Sequence, residues 1–526
     1  MIPPEKTQNE RSGPLDKLQL RWGKALFTTF IGLNCLVTIQ PVAHGAPADS
    51  ATKYTADWES LNSRPTPAWF TDAKFGIFIH WGVYSVPAWS VTAQHSGSYS
   101  EWYWWRIMET NKNGSVSAYR KFHDLNYGPD FSYMDFAPHF RAELFDPEFW
   151  AKTFADSGAR YVVLTSKHHD GFALWPNEDA NRSWGRPWNS VDIGPKRDLL
   201  GDLTTAVRRQ GLKMGIYYSL YEWFNPLWLK DQKQYATEHM HPQFKDVVTR
   251  YSPSIIFSDG EWDISSSDWR SPELLAWLFN ESPSRHDVVI NDRWGKKERH
   301  QNGGYFTTEY GAGLPDASHP WEENRGMGYS FGYSRTEQLK DYRTGKELIW
   351  MFTDLVSRGG NLLLDIGPDA DGTIPVIMQD RLAQMGEWLK VNGEAIYGTT
   401  PWKKTCQWSE GTQPEPVTKR DQAKYDIMTL AAMKPENGQA RKQAFLTAKG
   451  DTLYAILPNW PGKTFTLKDV KTGKGTAIQM LGVPGNLNFS SRKGNLIINI
   501  PQLTIDQLPC QHAWTLKITH VAATKE

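Results

Sequence analysis

From Trp69 to Trp402 the chain repeats one local pattern, a short apolar run that passes without a break into a cluster of polar, aromatic and glycine residues. Phe75-Gly-Ile-Phe-Ile79 runs into His80-Trp-Gly82, Tyr161-Val-Val-Leu-Thr165 into Lys167-His-His-Asp-Gly171, and Lys213-Met-Gly-Ile-Tyr217 into Tyr218-Ser-Leu-Tyr-Glu-Trp223. Ile255-Ile-Phe257 leads to Asp259, Val288-Val-Ile290 to Asn291-Asp-Arg-Trp-Gly295, and Leu362-Leu-Leu364 to Asp365-Ile-Gly-Pro368. A strand that is apolar at every position belongs in a parallel sheet buried on both faces, and polar clusters at strand C-termini are the mark of a β/α barrel. Helical patterns fill the intervals. Asp146-Pro147 opens one with Phe149, Trp150 and Phe154 as its stripe and Gly158 as its stop. Others run from Asp198 to Gln210, from Pro272 to Phe279, through Leu348, Phe352, Leu355 and Val356 to Gly359-Gly360, and from Met378 to Leu389. The expected fold class is α/β, a TIM-like (β/α) barrel over residues 50–400. Six strands can be named and the seventh and eighth are inferred, so an imperfect barrel stays open.

Past Trp402 the pattern changes to short alternating runs, Leu453-Tyr-Ala-Ile-Leu457, Asn495-Leu-Ile-Ile-Asn-Ile500 and Trp514-Thr-Leu-Lys-Ile518, broken by turns at Lys449-Gly-Asp451 and Lys493-Gly494. Residues 401–526 therefore predict a C-terminal antiparallel β-sandwich. With no exposed aromatic row to place on it, packing against the barrel is favoured over sugar binding. At the other end, residues 1–46 carry a basic flank, Arg21-Trp-Gly-Lys24, an apolar run from Ala25 to Ile39 and a small-residue exit to Gly45. This reads as a signal peptide cleaved near Gly45 or Ala46, or as an uncleaved N-terminal anchor; the run is short for a membrane span. Export would put the chain in a secreted, periplasmic or lysosomal setting, with no membrane association unless the leader is retained. Cys35 belongs to the leader, and Cys406 and Cys510 form either one disulfide or two free thiols.

Lys plus Arg equals Asp plus Glu at 58 each, which gives no reason to expect a nucleic-acid partner. The chemistry lies elsewhere. Asp259 ends an apolar strand in Ser254-Ile-Ile-Phe-Ser-Asp-Gly-Glu-Trp262, followed by Gly260 for close substrate approach and Trp262 as an apolar platform, with Glu309 and Glu322 in polar loops downstream. A carboxylate at that end of a barrel strand suits glycoside chemistry; the alternative is a strand-end Asp capping the next turn. The 25 Trp, 21 Tyr and 23 Phe include loop clusters such as Trp102-Tyr-Trp-Trp105 and Tyr221-Glu-Trp-Phe224. Rings beside polar groups suit sugars, although most Trp in any chain are core. His168-His169-Asp170 invites a metal, but adjacent strand residues face opposite ways, so hydrogen bonding to hydroxyls explains the cluster better and no metal or other cofactor is expected.

Seven segments in order, His80-Trp-Gly82, Tyr99-Ser-Glu-Trp102, Lys167-His-His-Asp-Gly-Phe172, Tyr217-Tyr-Ser219, Ser258-Asp-Gly-Glu-Trp262, Asn291-Asp-Arg-Trp294 and Gly360-Asn-Leu-Leu-Leu-Asp-Ile-Gly-Pro368, resemble the retaining α-L-fucosidases of glycoside hydrolase family 29. The likeness covers Trp58 to Trp402 and extends more weakly beyond, and Ser254 to Gly295 looks closest to the lysosomal, animal-type branch, which accepts many aglycones. It implies an exo-acting enzyme that releases terminal α-L-fucose from glycoconjugates or oligosaccharides with retention, needs no cofactor, and has a fucosylated glycan as its partner. Self-association is left open. By the resemblance Asp259 is the nucleophile; His80, His168, His169, Glu101, Trp102 and Tyr217 bind the sugar; Arg293 sits beside the carboxylates; Phe257 and Phe331 wall the sugar and its C6 methyl. The acid/base is Glu309 by the bacterial pattern or Glu322 by a proposed animal-type one. An Asp used by some members one place after the first position is Tyr310 here, which favours Glu309. The other readings are a retaining hydrolase of the same fold on a related sugar or fucan, and a non-catalytic fucose-binding lectin.

Overall fold

The computed structural model describes residues 53–91, 98–111, 114–413, 428, 431 and 438–521, so the leader read over residues 1–46 lies outside the described residues. Eight strands build the first part: β1 (Phe75–Ile79), β2 (Tyr161–Lys167), β3 (Lys213–Ser219), β4 (Ile255–Asp259), β5 (Val289–Ile290), β6 (Phe306–Glu309), β7 (Trp321–Gly326) and β8 (Asn361–Ile366). They form one sheet in the order β5-β4-β3-β2-β1-β8-β7-β6, parallel at every pairing. Strand alternation divides their side chains between two cores. Ile77, Ile79, Val162, Leu164, Ile216, Ile256 and Leu364 point out against the helices, while Phe78, Tyr161, Val163, Tyr217, Ile255, Phe257 and Leu363 fill the interior.

The helices start and stop where the sequence punctuates them. In Pro147–Asp156, proline occupies the first turn, and the Asp146 side chain accepts from the backbone N–H of Glu148 at 3.0 Å and Phe149 at 3.1 Å. Gly158 then turns the chain at φ +87°, where a Cβ would lie 2.7 Å from Leu389 Cδ1. Helices Leu199–Arg209, Ser271–Asn280, Gly345–Ser357 and Val376–Asn392 complete the pattern expected from sequence. Among the described residues no helix is long and apolar enough to cross a membrane.

The barrel is imperfect at one seam. No helix lies between β5 and β6 or between β6 and β7. β5 is two residues long, and no ladder joins it to β6. Instead the backbone N–H groups of Gly304 and Tyr305 both donate to the carbonyl of Ile290, at 3.1 Å each. The expectation that Glu309 and Glu322 sit in polar loops is corrected here, because Glu309 closes β6 and Glu322 is the second residue of β7.

Among the described residues eight further strands follow: β9 (Thr400–Trp408), β10 (Lys442–Lys449), β11 (Thr452–Leu457), β12 (Thr464–Leu467), β13 (Ile478–Met480), β14 (Phe489–Arg492), β15 (Asn495–Asn499) and β16 (Trp514–Ile518). They make antiparallel sheets in the orders β13-β16-β11-β10-β9 and β12-β15-β14. The larger sheet is apolar on both faces. Leu446, Leu453, Ala455 and Leu457 meet Phe465, Leu467, Leu496 and Ile498 of the smaller sheet, whereas Phe445, Tyr454 and Ile456 join the barrel's outer core. Trp350 and Trp388 from the barrel helices donate their indole N–H to the carbonyls of His512 at 2.8 Å and Ala513 at 2.9 Å. Cys406 and Cys510 are free thiols, so no disulfide links them.

Candidate active site

At the C-terminal ends of the strands lies a cavity of about 220 Å³, and its floor follows from the inward alternation of β1, β3 and β4. Phe78, Tyr217 and Phe257 face inward, with the Phe78 and Phe257 rings 5.0 Å apart and Tyr217 stacked on Phe257 at 5.9 Å and 18°. Two residues beyond Phe257 on the same face, the carboxylate of Asp259 rises from this floor.

Four groups converge on Asp259. Its Oδ1 accepts from Arg293 Nη1 at 2.9 Å and lies 3.5 Å from Arg299 Nη2, while Oδ2 accepts from the Tyr217 hydroxyl at 3.0 Å and lies 3.6 Å from His169 Nε2. Burial alone would raise the pKa of Asp259, but the charge of Arg293, with His169 and Arg299, overcomes it and holds the carboxyl well below the usual carboxylate range. The guanidinium of Arg293 also reaches Glu309, with Nη2 3.1 Å from Oε2, and its Nε donates to Thr307 Oγ1 at 3.1 Å. One planar fork therefore bridges the carboxylates at the ends of β4 and β6.

Gly260, next in sequence, has φ +73°, and a Cβ there would stand 2.9 Å from both Ser219 Oγ and Tyr221 Cβ. The space that glycine frees is taken up by the end of β3 and the turn that follows it. The two histidines follow a similar logic. β2 ends at Lys167, so His168 and His169 lie beyond strand alternation and both line the cavity, their rings 4.2 Å apart. The His169 ring is oriented by Ser219, 2.6 Å from Nδ1, and its backbone carbonyl accepts from Trp223 at 2.9 Å. Burial keeps these rings neutral, pushing His80 down to about 3, His169 to about 4 and His168 well below its ordinary value. Among the described residues no group of three or more His, Cys, Asp or Glu is gathered to hold a metal ion.

The cavity brings together His80, Glu101, Trp102, His168, His169, Tyr217, Phe257, Asp259, Arg293, Glu309 and Phe331. Glu101 is buried, accepts from the Gly332 N–H at 2.9 Å and the Ser330 hydroxyl at 3.2 Å, and is raised by burial to about 8. Glu322 is not brought to the cavity. It faces inward two residues before Asn324, which does line it, and so lies about 7 Å deeper in the barrel. There it accepts a hydrogen bond from Tyr161 at the start of β2. Burial raises it to about 8, but a raised pKa without access to the cavity is a property of the interior.

Phe78, Arg299 and Asn324 also line the cavity and carry no clear signal in the sequence. Arg299 lies in the run Lys296-Lys-Glu-Arg-His300, which looks like a solvated loop. In the fold its Nε is 2.6 Å from the buried Glu261, which holds it across the mouth beside Asp259.

Carboxylates paired at the ends of barrel strands, above an aromatic floor, define a glycoside hydrolase of the (β/α)-barrel class. The chain belongs to the α-L-fucosidase family, whose sequence profile matches residues 42–394, with the profile of the α-L-fucosidase C-terminal domain matching residues 437–519. It is 42% identical over 487 residues to the human tissue α-L-fucosidase, covering 90% of this chain and 93% of that one. To an α-L-fucosidase of Dictyostelium discoideum it is 46% identical over 360 residues, 67% of this chain and 76% of the relative. Among solved structures, the Thermotoga maritima α-fucosidase in complex with a mechanism-based inhibitor superposes with a TM-score of 0.70 at 34% identity, covering 89% of this chain and 100% of that chain. The same enzyme in complex with fucose gives 0.69 at 33% identity, with the same coverage.

Proposed function

We propose that this chain is a retaining exo-α-L-fucosidase in which Asp259 attacks the anomeric carbon and Glu309 serves as acid and then base. The bridging of these two carboxylates by Arg293 carries the reading. A single guanidinium fork favours the short separation of retaining enzymes, about 5 to 5.5 Å, over the wider gap that inverting enzymes leave for a water. In the first step Asp259 Oδ2 forms the glycosyl ester while Glu309 gives its proton to the leaving oxygen. In the second, Glu309 takes a proton from water, which displaces Asp259 and restores the α configuration. The neutral histidines, Glu101 and Tyr217 bind sugar hydroxyls, Trp102 flanks them, and Phe257 and Phe331 offer an apolar wall to the C6 methyl. The cavity suits one sugar ring, which supports terminal cleavage, and the partly exposed Trp102 and Trp262 at its mouth support tolerance of varied aglycones. Export to a secreted, periplasmic or lysosomal compartment and a division into catalytic barrel and C-terminal sandwich belong to the same proposal.

The test is a panel of aryl glycosides. Turnover of the α-L-fucoside with α-L-fucose as the first-formed anomer is expected, and a higher rate on a β-galactoside, or β-fucose as first product, would overturn the reading.

A further inference from the structure

His80 follows β1 directly, and three contacts fix its ring. Its backbone N–H donates to the Ile366 carbonyl at 3.1 Å, the ring stacks on Phe331 at 4.7 Å and 19°, and Nδ1 lies 2.6 Å from Asp365 Oδ1. His80 lines the cavity, whereas Asp365 on β8 is fully buried behind it and does not. The second oxygen of that carboxyl, Oδ2, is buried with no hydrogen-bond partner.

With His80 neutral, the pair has two arrangements, which differ by one proton. If Asp365 is ionised, it accepts from Nδ1–H, and its buried Oδ2 is left without a hydrogen-bond partner, within electrostatic reach of the carboxyls of Glu101 and Glu337. Desolvating such an oxygen is costly. If Asp365 has taken up one further proton from solvent, its O–H donates to Nδ1, Oδ2 is a neutral carbonyl oxygen, and the imidazole carries its own proton on Nε2. An imidazolium is disfavoured by burial, which holds His80 at about 3 although Asp259 partly opposes it and His169 and Arg293 reinforce it. Burial, with Glu101 and Glu337, raises Asp365 well above the ordinary carboxylate range and outweighs the lowering influence of the His80 backbone N–H.

We propose that Asp365 is a positioning residue: protonated, it donates its carboxyl O–H to His80 Nδ1 and fixes His80 as the Nε2–H tautomer, a one-way hydrogen-bond donor to an oxygen of the bound sugar. Only the identity of that acceptor rests on the fucosidase reading. The tautomer is a property of the resting protein. A fixed donor holds the hydroxyl oxygen that accepts from it in one orientation, so the hydroxyl's own proton must go to another acceptor in the pocket.

The experiment uses full-length protein labelled with 15N-histidine, with the His80 signals identified by their absence from His80→Gln. The expected result near neutral pH is an unprotonated Nδ1 and a protonated Nε2. A protonated Nδ1, alone or in an imidazolium, would overturn the proposal. Kinetics on an aryl α-L-fucoside give the second readout. Asp365→Leu should lose about tenfold or more in kcat/KM, the equivalent of one buried hydrogen bond. Asp365→Asn, whose amide N–H can donate in the same place, should keep the larger part. Equal activity of Asp365→Leu and wild type would also sink the proposal, and if the leucine variant fails to fold, the spectra of wild type and Asp365→Asn still decide it. An unmodified protein inactive on fucosides would end the fucosidase reading without touching the tautomer measurement.

Discussion

Asp259 at the end of β4 and Glu309 at the end of β6 share one arginine, yet the fold grips them differently. The Asp259 side chain is 11% exposed and has hydrogen bonds from Arg293 and Tyr217, with Arg299 and His169 beside it. Glu309 is 29% exposed and has Arg293 at 3.1 Å and only a long contact of 3.5 Å to the Tyr99 hydroxyl. Tyr310, immediately after it, has φ +47°, a conformation that strains a bulky side chain and turns the chain sharply as the strand ends. A nucleophile must stay ionised and still, so many donors help it. A group that gives a proton and takes one back cannot be pinned in either state.

The largest expected effect breaks the tight end. Asp259→Gly should cut turnover of an aryl α-L-fucoside by at least about a thousandfold while leaving fucose binding detectable by calorimetry. Near-normal turnover would overturn its assignment as nucleophile. Next comes the loose end. Glu309→Ala should lose about a hundredfold to ten-thousandfold on a substrate with a poor leaving group, lose far less with a good one, and regain rate with azide. Uniform loss across leaving groups would make Glu309 a binding residue instead.

Cutting the bridge is intermediate. Arg293→Met should cost about tenfold to a hundredfold in kcat/KM and move the acid limb of the pH profile upward, because Asp259 loses the charge that depresses its pKa. The sign for stability is fixed by the same shift. A carboxyl depressed by folding contributes stability above its unfolded pKa, about 3.9, and loses it as pH falls through the folded value. The Tm deficit of Arg293→Met should therefore be full at neutral pH and shrink in acid. An unmoved acid limb would mean that Arg293 does not control Asp259.

The same two ends show what a sequence reveals and what it conceals. β4 is legible because Ile255, Ile256 and Phe257 are apolar on both faces, and Asp259 stands out where they stop. β6 and β7 read Phe306-Thr-Thr-Glu309 and Trp321-Glu-Glu-Asn-Arg-Gly326, polar runs that look like loops. They are strands because their polar groups are satisfied inside the protein: Thr307 donates to Asp292 at 2.7 Å, Asn324 to the Thr308 carbonyl at 2.7 Å, and Thr308 to Glu323. Periodicity detects burial only when the buried residues are apolar, so the part of the barrel that carries Glu309 has no pattern to read. The motif residues His80, Glu101, His168, His169 and Arg293 were legible as a set, while Arg299 was hidden in a charged run whose buried partner, Glu261, is revealed only by the fold.

The smallest expected effect on catalysis tests this contrast most sharply, because Glu322 is a carboxyl of the right type in the wrong layer. Buried and raised to about 8, it stays largely protonated in the folded chain at pH 7, whereas the unfolded chain ionises it near 4.3. The folded state then binds more protons, so this group's contribution is full below about 4.3 and is lost as pH rises through 8. Glu322→Gln keeps an acceptor for the Tyr161 hydroxyl and removes the ionisation. It should leave kcat/KM within about threefold of wild type on both classes of leaving group, the scale of a surface-neutral change. Its Tm relative to wild type should climb between pH 5 and 8, measurable by calorimetry across that range. A leaving-group-dependent loss with azide rescue would instead place the acid on β7, and require the barrel interior to open by the one inward layer that now separates Glu322 from the cavity.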